Sequence, residues 1–134
     1  MSFGAKQISK LDLNNRKYIG IGLPFNKEGI FTQTFITRDA IRNNLINFFL
    51  TNNGDRYMNY SFGSNLRREL FENMSTTKIE DIKSGIRDRI QSSFREVRVD
   101  KLTVSPDEKK QRLNIDIIFS ITDSGERSRI NITL

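Results

Sequence analysis

The hydrophobic period of this chain changes from helical to alternating at Phe94, and that change limits the folds open to it. Up to that point Ile79, Ile82, Ile86, Ile90 and Phe94 recur at three- and four-residue intervals, the spacing of one helix face. Beyond it apolar residues alternate: first across 97–104, then at Leu113, Ile115, Ile117, Phe119 and Ile121, then at Ile130, Ile132 and Leu134. The two connections, 105–111 with Pro106-Asp107 and 122–126 with Asp123-Ser124-Gly125, suit antiparallel hairpins and are too short for helical crossovers. An α+β domain follows, with helices packed on one face of a small antiparallel sheet that ends in a three-strand meander.

Upstream, residues 1–28 read as an irregular N-terminal arm. Gly4, Gly20, Gly22 and Pro24 break any period there, although Tyr18, Ile19, Ile21, Leu23 and Phe25 are apolar. Such an arm packs on its own domain or along a neighbouring subunit. Residues 29–134 form one α+β unit. It begins with a short strand over 29–36, followed by a helix that Thr37 caps and that carries Ile41, Leu45, Phe48 and Phe49. Asn52-Asn53-Gly54 stops that helix. A short helix fits residues 65–72, with Leu66 and Leu70 one turn apart, and Thr77 with Glu80 offers a capping box to the long third helix. Arg87, Arg89 and Arg95 suit the far end of that helix electrostatically.

The 134 residues contain no Cys and no His. Disulfides, Cys/His zinc sites, thiol nucleophiles and a Ser-His-Asp triad are thereby excluded, and no cofactor is expected. Residues 1–15 lack the apolar core of a signal peptide, and no run approaches the ~20 apolar residues of a membrane span, so synthesis in the cytosol is expected. The formal charge of +6 implies an acidic partner: protein, nucleic acid or membrane surface. Only Arg67-Arg68 and Lys109-Lys110 are adjacent, so there is no dense basic tract.

One segment is more specific. Gly54, Asp55 and Arg56 precede a Phe62-Gly63 turn and the run Leu66, Leu70, Phe71, Glu72. This arrangement resembles the signature of the baseplate wedge family of contractile-tailed phages. That family is related to a type VI secretion baseplate subunit and has carried the label lysozyme-like. Tyr60 and Ser61 stand where the family commonly has Pro and Glu. A second family motif, Glu-Pro-Arg before the first meander strand, is here Glu96-Val97-Arg98. The resemblance implies a structural subunit of the inner baseplate that links wedge proteins to the first ring of the tail sheath, in the virion tail, after assembly in the host cytoplasm.

The residues themselves leave two roles open at each position. Arg56, Phe62 and Gly63 either present a bidentate guanidinium and an aromatic anchor to a partner or lock a loop internally. Leu66, Leu70 and Phe71 read as core. Glu96 and Arg98, two apart on a strand-like segment, project to one side and either engage a partner's charges at fixed spacing or form a solvated pair. The resemblance favours docking of Glu96, Val97 and Arg98 on the wedge core. The last strand, 127–134, offers an edge on which a sheath strand can be added, involving Arg127, Arg129, Ile130, Ile132 and Leu134; alternatively, Arg127 and Arg129 blunt that edge.

Two further functions would each make their own demand on these residues. A peptidoglycan-degrading, lysozyme-like enzyme needs paired carboxylates ~5–9 Å apart, and Glu69, Glu72 and Asp55 are the nearby candidates. A nucleic-acid binder needs aromatic platforms among its basic residues, yet the strands supply only Phe119, in line with the aliphatic core positions.

Overall fold

The computed structural model describes residues 10–14, 16–23, 32–69 and 75–134. A 3-10 turn, Lys10–Leu13, leads to β1 (Gly20–Gly22), which pairs antiparallel with β2 (Thr32–Thr34). Thus the arm is not wholly irregular: its described part contributes a strand, and that hairpin packs on the first helix, α1 (Thr37–Leu50). Next come α2 (Leu66–Glu69), α3 (Thr76–Ser93), β3 (Val97–Asp107), β4 (Arg112–Ile121) and β5 (Arg127–Thr133). Leu70, Phe71 and Glu72, expected on the second helix, lie outside the described residues. The meander runs in the order β3-β4-β5, antiparallel throughout. No helix among the described residues is long and apolar enough to cross a membrane.

Alternation along β4 decides which face of the sheet is covered. Leu113, Ile115, Ile117, Phe119 and Ile121 are all buried, with Leu113, Ile115 and Phe119 fully so. They join Ile41, Leu45, Phe48 and Phe49 of α1 and Ile82, Ile86 and Ile90 of α3 in one core. The helices therefore lie on a single face, and the opposite face is mainly polar, with half-buried Ile118 between Lys101 and Arg129.

Both helices start differently from expectation. Thr37 is the first residue of α1, not its cap, and the capping position, Ile36, has no side chain able to accept. Instead the Thr37 backbone N–H and hydroxyl both donate to Asp12 Oδ1, each at 2.7 Å, so the arm caps the helix from 25 residues away. For α3, Ser75 accepts from the Lys78 N–H at 3.3 Å. Thr77 lies inside that helix and Glu80 pairs with Lys83 Nζ at 2.8 Å, so the Thr77–Glu80 capping box does not form. Ser75 takes the role because it immediately precedes the first helical residue, which puts its hydroxyl within reach of the N–H three residues on.

A β-bulge interrupts β3. The pairing passes from Val99–Phe119 to Lys101–Ile118, leaving Asp100 as an extra residue. Asp100 turns to the solvent side, where it accepts from Ser120 Oγ at 3.3 Å and lies 3.7 Å from Arg127 Nε.

Candidate assembly surfaces

The connection from α1 to α2 is built around the unsatisfied carbonyls at the end of α1. Thr51 Oγ1 donates to Asn47 O at 2.6 Å, the Ser64 N–H donates to Phe48 O at 3.2 Å, and Ser64 Oγ donates to Phe49 O at 2.9 Å. Ser64 O then accepts from Arg89 Nη1 of α3 at 2.8 Å. One buried serine so ties α1, the connection and α3 together. Gly63, beside it, has φ +119°, and a Cβ there would sit 2.5 Å from Thr51 O, so both conformation and space demand glycine.

Phe62 is buried and belongs to an aromatic cluster centred on Phe48, edge-to-face with Phe62 at 5.4 Å and with Phe94 at 5.9 Å. Leu66 is core. Arg56 lies over the outer face of Phe62, its guanidinium carbon 4.6 Å from the ring centroid. Between Gly54 and Phe62 the loop carries Tyr57, Met58 and Tyr60, exposed by 81%, 88% and 62%. Sequence reading singled out Arg56 and passed over these three, although two tyrosines and a methionine within four positions were a visible signal.

Glu96 closes the turn that leads into β3, and its carbonyl accepts from the Thr122 N–H at 2.9 Å and the Thr122 hydroxyl at 3.2 Å. Its side chain and that of Arg98 are exposed. Val97, between them, is only 5% exposed and pairs with Ile121. Its side chain is therefore an anchor in the core, not a contact offered to a partner.

Along β5, Ile130 and Ile132 face the core. Leu134 and Leu113 exchange both backbone hydrogen bonds at 3.0 Å. Antiparallel alternation from that pair turns the backbone groups of Arg127, Arg129, Asn131 and Thr133 away from β4, towards the outer edge. No strand among the described residues pairs along that edge. Arg129 reaches across the outer face, where Nε donates to Asp116 Oδ1 and Nη2 to Asp116 Oδ2, both at 2.8 Å. Those bonds hold the Asp116 carboxyl below its ordinary range and raise the guanidinium's.

Of the carboxylates proposed for an enzyme, Glu72 lies outside the described residues, and Glu69 and Asp55 line different recesses. Glu69 lines a recess of about 430 Å³ with Asp81, Lys78 and Arg89, and among the described residues no aromatic side chain lines it. Asp55 is elsewhere, with Oδ2 accepting from the Asn52 N–H at 3.1 Å. Phe119 is fully buried, so it offers no platform for bases.

Known proteins share this arrangement. Residues 37–126 match the model of the family described as baseplate wedge protein gp25. The chain is 31% identical over 89 residues to baseplate wedge protein gp25 of Enterobacteria phage T4, covering 65% of this chain and 66% of that relative's length. Two solved structures share the fold. One is a Geobacter sulfurreducens protein provisionally described as a tail lysozyme, with TM-score 0.64, 21% identity, and 72% of this chain and 88% of that one covered. The other is a chain in the baseplate of the anti-feeding prophage, with TM-score 0.61, 22% identity, and 74% and 79% covered. On the match over residues 37–126, from α1 to the turn that follows β4, the chain belongs to the gp25 baseplate wedge family.

Proposed function

We propose that this protein is a non-catalytic structural subunit of a contractile-tail baseplate, linking wedge proteins to the first ring of the tail sheath. It would be assembled in the host cytoplasm and retained in the virion tail. The observation that carries the reading is the family match across 37–126. Two surfaces give it a physical form. Glu96 and Arg98 are exposed charges held at fixed spacing by buried Val97, which suits docking on a wedge partner of complementary charge. The outer edge of β5 directs the backbone groups of Arg127, Arg129, Asn131 and Thr133 outwards, which suits addition of a sheath strand.

Co-expression with the cognate wedge and sheath proteins tests the proposal, and failure to co-purify with any of them overturns it. Glu96→Lys is expected to block wedge docking while the monomer keeps its melting temperature. Asn131→Pro removes one outward N–H without touching the β4 ladder, and is expected to weaken sheath capture selectively. A peptidoglycan zymogram comparing wild type with Glu69→Gln and Glu72→Gln addresses the lysozyme-like alternative; clearing that these substitutions abolish would establish it instead.

A further inference from the structure

We propose that the loop between Gly54 and Phe62 is a second protein-docking surface, which receives a carboxylate side chain at Arg56 and a neighbouring apolar side chain on Tyr57, Met58 and Tyr60. The inference rests on the assembly reading above and names the chemistry of a further partner contact. It begins from the exposure of those three side chains, large apolar groups that lie outside the core and outside the other two surfaces.

The loop is ordered before any partner arrives. Gly54 N–H donates to Tyr60 O at 2.9 Å, Asp55 N–H to Asn52 O at 3.2 Å, Asn59 N–H to Arg56 O at 3.1 Å and Phe62 N–H to Asn59 O at 3.1 Å. Tyr57 and Tyr60 already pack edge-to-face, with centroids 6.5 Å apart. Rings held this way lose little further freedom on binding, which is why tyrosine serves as an anchor in interfaces.

Charge identifies what the loop takes. Arg56 borders a recess of about 390 Å³ whose polar lining is Asn44, Asn47, Asn59, Ser92 and Ser93, with no carboxylate lining it among the described residues; Asp55 lines a separate recess with Arg56. The amides of Asn44, Asn47 and Asn59 and the Ser93 hydroxyl can each turn a donor towards an anion, whereas the Ser92 hydroxyl already donates to Arg89 O at 3.0 Å; the guanidinium is pre-positioned by its stack on Phe62. Asp55, the nearest acidic neighbour in sequence, accepts the Asn52 N–H. An anion bound here has the apolar side chains of Tyr57, Met58 and Tyr60 close along the chain. A peptide with an Asp or Glu next to an apolar residue presents both features, whereas a nucleic-acid backbone presents phosphates flanked by polar sugar.

The test uses particles reconstituted from the cognate wedge and sheath proteins, with a photo-crosslinking phenylalanine analogue replacing Met58. The expected crosslink maps to a partner segment that has Asp or Glu within a few residues of an apolar side chain. Arg56→Glu is expected to weaken that partner's binding roughly tenfold. Reversing the mapped carboxylate to Lys should restore it. Full incorporation of the Tyr57→Ser/Met58→Ser/Tyr60→Ser variant, or assembled particles without a crosslink, overturns the proposal while leaving the assembly reading intact. So does loop-dependent binding of the monomer to anionic phosphatidylglycerol vesicles or to single-stranded RNA in place of protein. Wild-type chain that enters no particle removes both readings. Circular dichroism confirms that each variant folds, as expected for exposed positions.

Discussion

The connection between α1 and α2 and the C-terminal meander are held together in opposite ways. In the meander, support is spread over many equivalent contacts: five buried positions along β4 repeat the same packing, and its neighbours pair along nearly their whole length. In the connection, support is concentrated. Ser64 alone ties three segments, Gly63 has no spare volume, and Phe48 is the hub of its aromatic cluster. Repetition tolerates a changed member, whereas a knot fails at the residue that closes it.

Gly63→Ala should therefore have the largest effect. It combines a strained positive φ with a Cβ forced against the Thr51 carbonyl, and a loss of about 4 kcal/mol is expected in chemical denaturation. Gly54→Ala isolates the strain, because φ is +93° but nothing lies within 4 Å of the added atom; about 1 kcal/mol is expected. If the two glycines cost the same, the idea that space matters in the connection fails. Arg89→Met removes the tie from α3 to the Ser64 carbonyl, and about 2 kcal/mol should be lost. In the meander, Ile117→Val should cost about 1 kcal/mol, and a loss as great as that of Gly63→Ala would abolish the contrast.

The smallest effect is electrostatic. The Asp116 carboxyl titrates below its ordinary range because Arg129 bonds its charged form. A carboxyl depressed in the folded state adds stability above the unfolded value of ~3.9, and that stability fades as pH falls through the folded value. Asp116→Asn should consequently match wild type in strong acid and fall slightly below it at neutral pH. A melting series from pH 2 to 7 would show whether the gap opens in that direction.

How much could be read in advance follows the same division. Strands β3 to β5 and helix α3 were legible because burial repeats with a period, and the periods of helix and strand differ. The cap of α1 was not, because Asp12 and Thr37 meet only after the chain has folded, and local spacing pointed to Thr37 itself. The cap of α3 was misplaced by two residues, since Ser75, Thr76 and Thr77 are all capable of the role and only geometry chooses. Among the candidate surfaces, exposure of Glu96 and Arg98 was foreseeable from alternation, which also places Val97 inside. Tyr57, Met58 and Tyr60 are a cluster visible in the sequence, but their exposure was not legible, because exposed apolar residues run against the rule by which a core is recognised.

The bulge at Asp100 bears on where the Glu96 and Arg98 pair points. Without the extra residue, Val97, Val99, Leu102 and Val104 would alternate without interruption, so packing does not require it. A bulge bends its strand and tightens the local twist. Deleting Asp100 should therefore leave a folded domain with its core intact and both charges still exposed, yet tilt them relative to the rest of the sheet. Angle alone would then distinguish a subunit that fits its ring from one that does not, with no contact residue altered.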